Sequence, residues 1–402
     1  MTMETAAMPS GEPGPPPITL MALFLKFLRF GVLAFGGPVA QIAMLRQALV
    51  EEERWIGKAR FNRLLAVLQV LPGPEAHELC VHLGMIARGR IGGLLAGLGF
   101  MLPGLALTLL AGWLYVGFVV GDAHLAGALL GVQVVVLAVI GRAVVRIGQH
   151  IVENWLLGVI ALASLAATLV DVPFWIPLVT GGLAYALSHR PAATALILVV
   201  ALALAAAIHL FAVPTVGPRA ATGASVTSLA LFSAGLKGGM LTFGGAYTAI
   251  PYVRADTVGR GWIGDATFLD GIALAGVLPA PLVIFATFVG YVVGGLAGAL
   301  AITAGMFLPA FAFSLILFER LEAIVENPAL HRVLEGIAAA VVGIIAGTFL
   351  HLGYATWVRV PAPAAGTALF AVALAAAWRI TGAWVTPAIL AAGAVAGWAL
   401  FS

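Results

Sequence analysis

Apolar residues run along this chain in blocks long enough to cross a lipid bilayer. Residues 94–120 and 192–213 approach or exceed the ~20 residues a helix needs to traverse ~30 Å of hydrocarbon. The same pattern predicts full spans over 91–120, 125–147, 154–170 and 173–188. Four short segments interrupt it: Phe35-Gly36-Gly37-Pro38, Leu71-Pro72-Gly73-Pro74, Phe243-Gly244-Gly245 and Leu278-Pro279-Ala280-Pro281. Glycine lets the backbone turn sharply, and proline removes a donor and clashes with the preceding turn. Each interruption therefore ends one half-helix and begins another, with proline suited to the first position of the new one.

The interruptions are members of an internal repeat. Phe35-Gly36-Gly37 recurs as Phe243-Gly244-Gly245, with Arg29 and Gly31 opposite Lys237 and Gly239, at an offset of 208. Trp55-Ile56, Phe61 and Pro72-Gly73-Pro74 match Trp262-Ile263, Phe268 and Pro279-Ala280-Pro281 at 207. Gly84 and Leu102-Pro103 match Gly290 and Leu308-Pro309 at 206. The order of these matches defines a first repeat over 18–190 and a second over 226–402, joined by a linking span and loop over 191–225. Residues 1–17 end in Gly14-Pro15-Pro16-Pro17, carry no Lys or Arg, and read as a disordered tail rather than a signal peptide.

Composition narrows the class. Of 402 residues 62% are hydrophobic and 9% charged, against roughly 25% charged in a soluble domain. That excludes a soluble enzyme, a nucleic-acid binder and a disordered chain, and leaves an all-α polytopic membrane protein. One cysteine, Cys80, excludes a disulfide framework and a cysteine-built metal site within the chain. No G-x-x-x-x-G-K-[ST] motif is present, so ATP-driven pumping by this chain alone is not expected, and neither a cofactor nor a metal is called for.

Charge orients the spans. Arg46, Arg54, Lys58, Arg60 and Arg63 crowd one loop, and Arg88, Arg90, Arg142, Arg146, Arg190, Arg320, Arg332 and Arg379 fall at later loops. All face the cytoplasm if 19–48, 61–87, 227–254 and 265–292 are hairpins that enter and leave on one side. Arg219, Arg254, Arg260 and Arg359 then face outward. The odd linking span turns the second repeat over, giving inverted-topology repeats with re-entrant or broken helices. If the hairpins cross fully, more spans result and the repeats still invert.

Inverted repeats interrupted at matching positions point to a transporter's binding site. The half-helices after the breaks, over 38–49, 74–87, 246–254 and 281–293, would aim their N-termini at mid-membrane. Such termini carry partial positive charge and free N–H donors, suited to an anion; the alternative is that Gly and Pro merely allow close packing. Arg29 and Lys237 lie in apolar surroundings at equivalent positions and are candidates to attract the anion, with snorkelling to the interface as the other reading. Lys26, opposite Ala234, reads as an interfacial anchor. Gln41, Thr242, Tyr247, Thr248 and Tyr252 stand near the Gly-Gly breaks as possible donors.

The segment 74–82 concentrates ionisable groups: Glu75, His77, Glu78 and His82. Its histidines are five apart, off the H-E-x-x-H spacing of a zincin helix. Glu78 and His82 are four apart and can share a proton, while Glu75 either satisfies the helix N-terminus or carries a proton. Coupling of Glu75, Glu78 and His82 to a proton gradient is the functional reading. Glu51-Glu52-Glu53-Arg54 reads as a solvated loop, and Asp265 as a helix N-cap.

At these motifs the sequence resembles the chromate ion transporter family in its long-chain, two-domain form. The resemblance rests on F-G-G-P at 35–38, L-P-G-P at 71–74, F-G-G-A-Y at 243–247 with Ile250-Pro251, and L-P-A-P-L at 278–282 followed by F-A-T-F-V-G-Y at 285–291. It implies multi-pass residence in the cytoplasmic (inner) membrane and export of chromate driven by the proton motive force, with sulfate as competing analogue. It implies a substrate region at Phe35, Gly36, Gly37, Pro38, Pro72, Gly73, Pro74, Phe243, Gly244, Gly245, Pro279 and Pro281, to which Arg29, Lys237 and Tyr247 are added from the residues themselves. Glu75, His77 and Glu78 depart from the small or amide residues many members carry after the first P-G-P, and Ala280 replaces the second motif's glycine. A carrier for sulfate or a small organic anion, an anion channel and an intramembrane enzyme are the other readings. One chain can hold a complete site, and a homodimer stays open.

Overall fold

The computed structural model describes residues 14–119, 122–211, 226–243, 245–317, 328–380, 382 and 384–401. Gly244, Arg219, Arg320 and most of the expected N-terminal tail lie outside them. The described chain is helical. Helix α1 (Leu20–Val32) buries Leu23, Phe27, Phe30 and Gly31, the i, i+4, i+7, i+8 stripe of a one-sided helix. Helix α2 (Gly37–Arg46) runs on into a wider turn at Gln47–Glu52, and α3 (Lys58–Val70) follows. Helix α4 (Glu75–Leu114) continues to Val119, and α5 covers Ala123–Ile151. Helices α6 (Trp155–Leu169), α7 (Trp175–Ala186) and α8 (Pro191–Phe211) complete the first part.

The second part repeats the plan. Helix α9 (Ser228–Met240) precedes a short turn at Ala246–Ala249 and α10 (Ile250–Thr257), then α11 (Asp265–Val277). A turn at Leu282–Ile284 opens α12 (Phe285–Leu317), followed by α13 (Pro328–Trp357), α14 (Pro363–Arg379) and α15 (Val385–Phe401). Local devices recur with the sequence. Thr19 Oγ1 accepts the Ala22 amide and Thr227 Oγ1 the Ala230 amide, both at 3.2 Å. These caps open α1 and α9 in the same way.

Among the described residues four helices are long and apolar enough to cross a membrane, Glu75–Val119, Leu125–Ile151, Leu282–Ile316 and His331–Trp357. Two of the four are folded back on themselves. Arg88 and Gly89 leave helical geometry at φ −145°, ψ 29° and φ 63°, ψ −159°, and Gly294 and Gly295 do so at φ −138°, ψ 19° and φ 60°, ψ −155°. The second conformation of each pair is open to glycine alone. The legs then close: a Cβ at Gly84 would meet Ala96 and the Gly92 carbonyl, and one at Gly290 would meet Ile302 and the Gly298 carbonyl. Thr287 and Thr303 hydroxyls join the second pair of legs at 2.6 Å. Small residues let helix backbones approach where hydrocarbon gives no solvent-driven association.

The packing crosses between the two parts. Helix α1 lies on α4 and α9 on α12, and α4 touches α12. A side chain at Gly31 would collide with the Phe100 carbonyl, and one at the equivalent Gly239 with the Met306 carbonyl. Farther along, α5 packs against α14 and α15 of the second part, while α13 packs against α6 and α7 of the first. Each long helix is thus clasped by the short pair that follows its counterpart.

Two expectations from the sequence are corrected here. Arg142 and Arg146 belong to no loop: α5 continues through them to Ile151, because the apolar pattern resumes at Val144, Val145 and Ile147. Asp265 is not an N-cap. Gly264 holds that position, and Asp265 lies in the first turn of α11, where it accepts both Nε and Nη2 of Arg254 at 2.7 and 3.0 Å.

Candidate functional site

The four interruptions meet in crossed pairs. Leu71-Pro72-Gly73-Pro74 separates α3 from α4, and the Gly73 amide donates to the Thr242 carbonyl at 2.8 Å, beside Phe243 of the opposite part. The reciprocal place is filled by a side chain. Gln41, one turn into α2, donates through Nε2 to the Ala34 carbonyl at 2.8 Å and to the Ala280 carbonyl at 2.9 Å. In the repeat, Ala34 corresponds to Thr242 and Ala280 to Gly73. The turn at Ala246–Ala249 also touches that at Leu282–Ile284, joining the two breaks of the second part.

Backbone geometry matches what the sequence demanded. Gly36 and Gly37 take φ 87° and 78° ahead of Pro38 at the start of α2; Gly73 and Gly245 take φ 150° and 128°. Pro72, Gly73, Pro74, Pro279 and Pro281 are buried, as is Phe243. Phe35 is half-buried and stacks on Trp384 with ring centroids 5.0 Å apart, and Gly36 is exposed. Thr248 Oγ1 accepts the Phe243 amide at 3.1 Å and donates to the Gly245 carbonyl at 2.7 Å, which fixes the second Gly-Gly turn.

The acidic cluster sits directly after the first P-G-P. Glu75, His77, Glu78 and His82 are all buried, His77 and Glu78 completely. A Cβ on Gly73 would fall against the Glu78 carboxyl group, so the break and the acid are in contact. Neither oxygen of Glu78 has a hydrogen-bond partner among the described residues. Glu75 lies three residues before Glu78, on the same face of the helix. The ring of His77 stands edge-on to Phe307 and Phe311 of α12, at 5.0 and 4.7 Å between centroids.

The candidate cations are placed differently. Arg29 is exposed on α1. Lys237 donates to both oxygens of Asp256, at 2.8 and 3.0 Å, and Arg260 shares that carboxylate at 2.9 Å. Lys26 pairs with Glu53 and lies 5.4 Å from the Trp55 ring. In the same loop Lys58 bonds Glu51 at 2.8 Å and holds its carboxyl below the usual range. Glu51 and Glu53 are therefore tied to cations rather than only solvated.

Two groups near the breaks are not apparent from motif reading. Asp270, buried on α11, accepts the Tyr115 hydroxyl at 2.7 Å and Gln133 Nε2 at 2.8 Å. Its partners are more than a hundred residues away in the chain. Arg142 lies inside α5, three residues after Val139, which lines a small cavity together with Tyr247. Its position inside an apolar run was the one available signal.

The family profile described as Chromate transporter matches residues 21–226 and 229–398. The chain belongs to the chromate transporter family. A chromate transport protein of Pseudomonas aeruginosa is 56% identical over 399 residues, covering 97% of this chain and 94% of the relative. A probable chromate transport protein of Synechococcus elongatus is 30% identical over 391 residues, 95% of this chain and 96% of its own. A chromate transport protein of Cupriavidus metallidurans is 29% identical over 368 residues, 86% of each. No solved structure matches the chain. As a chromate transporter family member it is a multi-pass membrane transport protein and not an enzyme.

Proposed function

We propose that this chain is a secondary active transporter exporting an inorganic oxyanion, chromate before others, across the cytoplasmic membrane on the proton motive force. Sulfate, a similar tetrahedral dianion, competes. The observation that carries the reading is the crossed pairing of the four breaks, through Gly73 to Thr242 and Gln41 to Ala280. It brings the starts of four half-helices into one region, where free N–H groups and partial positive charge suit an anion. The names of the relatives support chromate as the ion.

The binding region comprises Phe35, Gly36, Gly37, Pro38, Pro72, Gly73, Pro74, Phe243, Gly244, Gly245, Tyr247, Pro279 and Pro281. Lys237 has its own carboxylate partner, so the reading rests on the breaks and not on the Arg29–Lys237 pair. The two repeats lie in the membrane in opposite orientation, and their rocking about the crossed breaks opens the site to either side in turn.

Proton coupling falls to Glu75, Glu78 and His82. An ionised carboxylate buried without a partner costs several kcal/mol, about the scale set by its lost hydration. Arrival of a proton on Glu78 and arrival of an anion beside Gly73 are therefore linked events. The test is chromate and sulfate flux into proteoliposomes with and without an imposed pH gradient. Chromate movement that follows the gradient and is blocked by sulfate supports the reading. Equal flux without a gradient makes the protein a channel, and sulfate flux that chromate does not inhibit reassigns the substrate.

A further inference from the structure

Several cations on the helices have found a counter-charge or a hydrogen-bond partner. Lys26 has Glu53, Lys237 and Arg260 share Asp256, Arg254 has Asp265, and Arg332 bonds the Tyr185 carbonyl and Ser188. Arg142 has none of these. Its Nε is buried with no hydrogen-bond partner. Arg146 lies one turn on in α5, and Tyr247, in the second F-G-G-A-Y motif, lines the same small cavity as Val139 of α5. Two arginines at i and i+4 repel, so Arg146 does not serve as a partner. Among the described residues no acid pairs with this guanidinium.

Its surroundings are those of the second break. Three residues before it on the same side of α5 is Val139, one of the residues lining a small cavity. Val136, Ile140, Tyr247, Ile272, Leu282 and Thr386 line it too, so α5 faces both second-part motifs across this space. Five residues after Arg142, the Ile147 side chain lies 4.0 Å from where a Gly245 Cβ would stand. Helix α5 therefore meets the Gly245 turn about 7.5 Å along its axis from Arg142.

We propose that Arg142 is the anion-binding cation of this transporter, completing with its guanidinium the site that the second Phe-Gly-Gly break opens beside Tyr247. The inference rests on the reading of the chain as an anion carrier and adds to it the residue that recognises the charge. A planar guanidinium presents a fork of donors to two oxygens of a tetrahedral oxyanion, which a lysine ammonium, a point charge, does not reproduce. Arg146 is exposed and takes no part in the site.

The experiment measures thermal stabilisation of purified full-length protein by chromate, sulfate, nitrate, chloride and acetate. A ligand that binds only the folded state raises its stability in proportion to ln(1 + [L]/Kd). For wild type we expect stabilisation by chromate and sulfate; for Arg142→Gln, a loss of oxyanion affinity of about tenfold or more, with an unliganded melting temperature near that of wild type. Arg146→Gln should bind as wild type does. Arg142→Lys keeps the charge and the fold, and should bind with a reduced preference for sulfate over chloride. Should Arg142→Gln fail to fold, that loss of preference in Arg142→Lys carries the test. Unchanged oxyanion binding in Arg142→Gln, or unchanged preference in Arg142→Lys, overturns the assignment. If wild type responds only to chloride, nitrate or acetate and Arg142→Gln loses that response, Arg142 stands and the oxyanion reading falls. If no anion stabilises wild type, both fall.

Discussion

The Gly73 amide and the Thr242 carbonyl meet at 2.8 Å, although 169 residues separate them in the chain. This single bond ties the break before α4 to the break after α9, one from each repeat. It leaves no room at Gly73. The residue sits at φ 150°, and any Cβ there would run into the Glu78 carboxyl. Gly73→Ala should therefore lower stability by about 1–3 kcal/mol through backbone strain alone, with overlap on Glu78 added. The measurement is the melting temperature in detergent beside transport in vesicles. A variant melting with wild type and transporting normally would remove Gly73 from the joint.

Gln41 does the same work with a side chain. Its Nε2 serves the carbonyls of Ala34 and Ala280, and the residue is 1% exposed. Gln41→Leu keeps the volume and leaves two buried acceptors without their donor, at about 1–3 kcal/mol each where nothing replaces it. We expect a lower melting temperature and slower transport. Wild-type values in both would mean that the reciprocal joint holds without the amide.

The turns at Gly89 and Gly295 allow a cleaner test of backbone strain. Both occupy the same glycine-only region, and nothing lies within 4 Å of a Cβ built at either. Gly89→Ala and Gly295→Ala should each destabilise by about 1–3 kcal/mol, and to a similar degree, since strain is the only term. Widely different effects would show that the two hairpins are not equivalent.

The breaks were legible because glycine and proline act on the backbone of their own segment, wherever the segment ends up. Phe35-Gly36-Gly37-Pro38 turns at the residues that spell it, whereas the turns at Gly89 and Gly295 carried no proline and became apparent only in the structure. Charge pairing was not legible, because it depends on what folding brings close. Lys237 in an apolar run looked like a free cation until α10 brought Asp256 to it. Asp270 has no partner near it in sequence, and Tyr115 and Gln133 reach it from the end of α4 and from α5. Arg142 was assigned to a loop on its charge, although the apolar pattern carried a span over 125–147 through it. A cation ends a helix only if the apolar pattern also stops, and here it resumes at Val144.

Inversion of the repeats gives an accessibility test. Ile91 and Leu296 are 62% and 56% exposed, just after the two equivalent turns. If the repeats are inverted, Ile91→Cys and Leu296→Cys should react with a membrane-impermeant maleimide from opposite sides of oriented vesicles. Cys80 is buried and should contribute no background. Labelling of both from one side would establish parallel repeats and remove the two-fold relation from the transport mechanism.

The Lys237 pair separates charge that stabilises from charge that binds. Asp256 is 10% exposed and holds Lys237 and Arg260 together, while the Lys237 side chain is 45% exposed. Solvent screening keeps such a pair to about 0.2–1 kcal/mol. Lys237→Gln should therefore lower the melting temperature slightly and leave anion affinity close to wild type, because Arg260 still neutralises Asp256. Asp256→Asn should cost more, since it releases two cations at once. In the double variant Lys237→Gln/Asp256→Asn the costs should be less than additive, which a double-mutant cycle of melting temperatures measures. Loss of anion binding in Lys237→Gln with full stability would return Lys237 to the substrate site. Retention of binding there, beside its loss in Arg142→Gln, would place the recognising charge on α5.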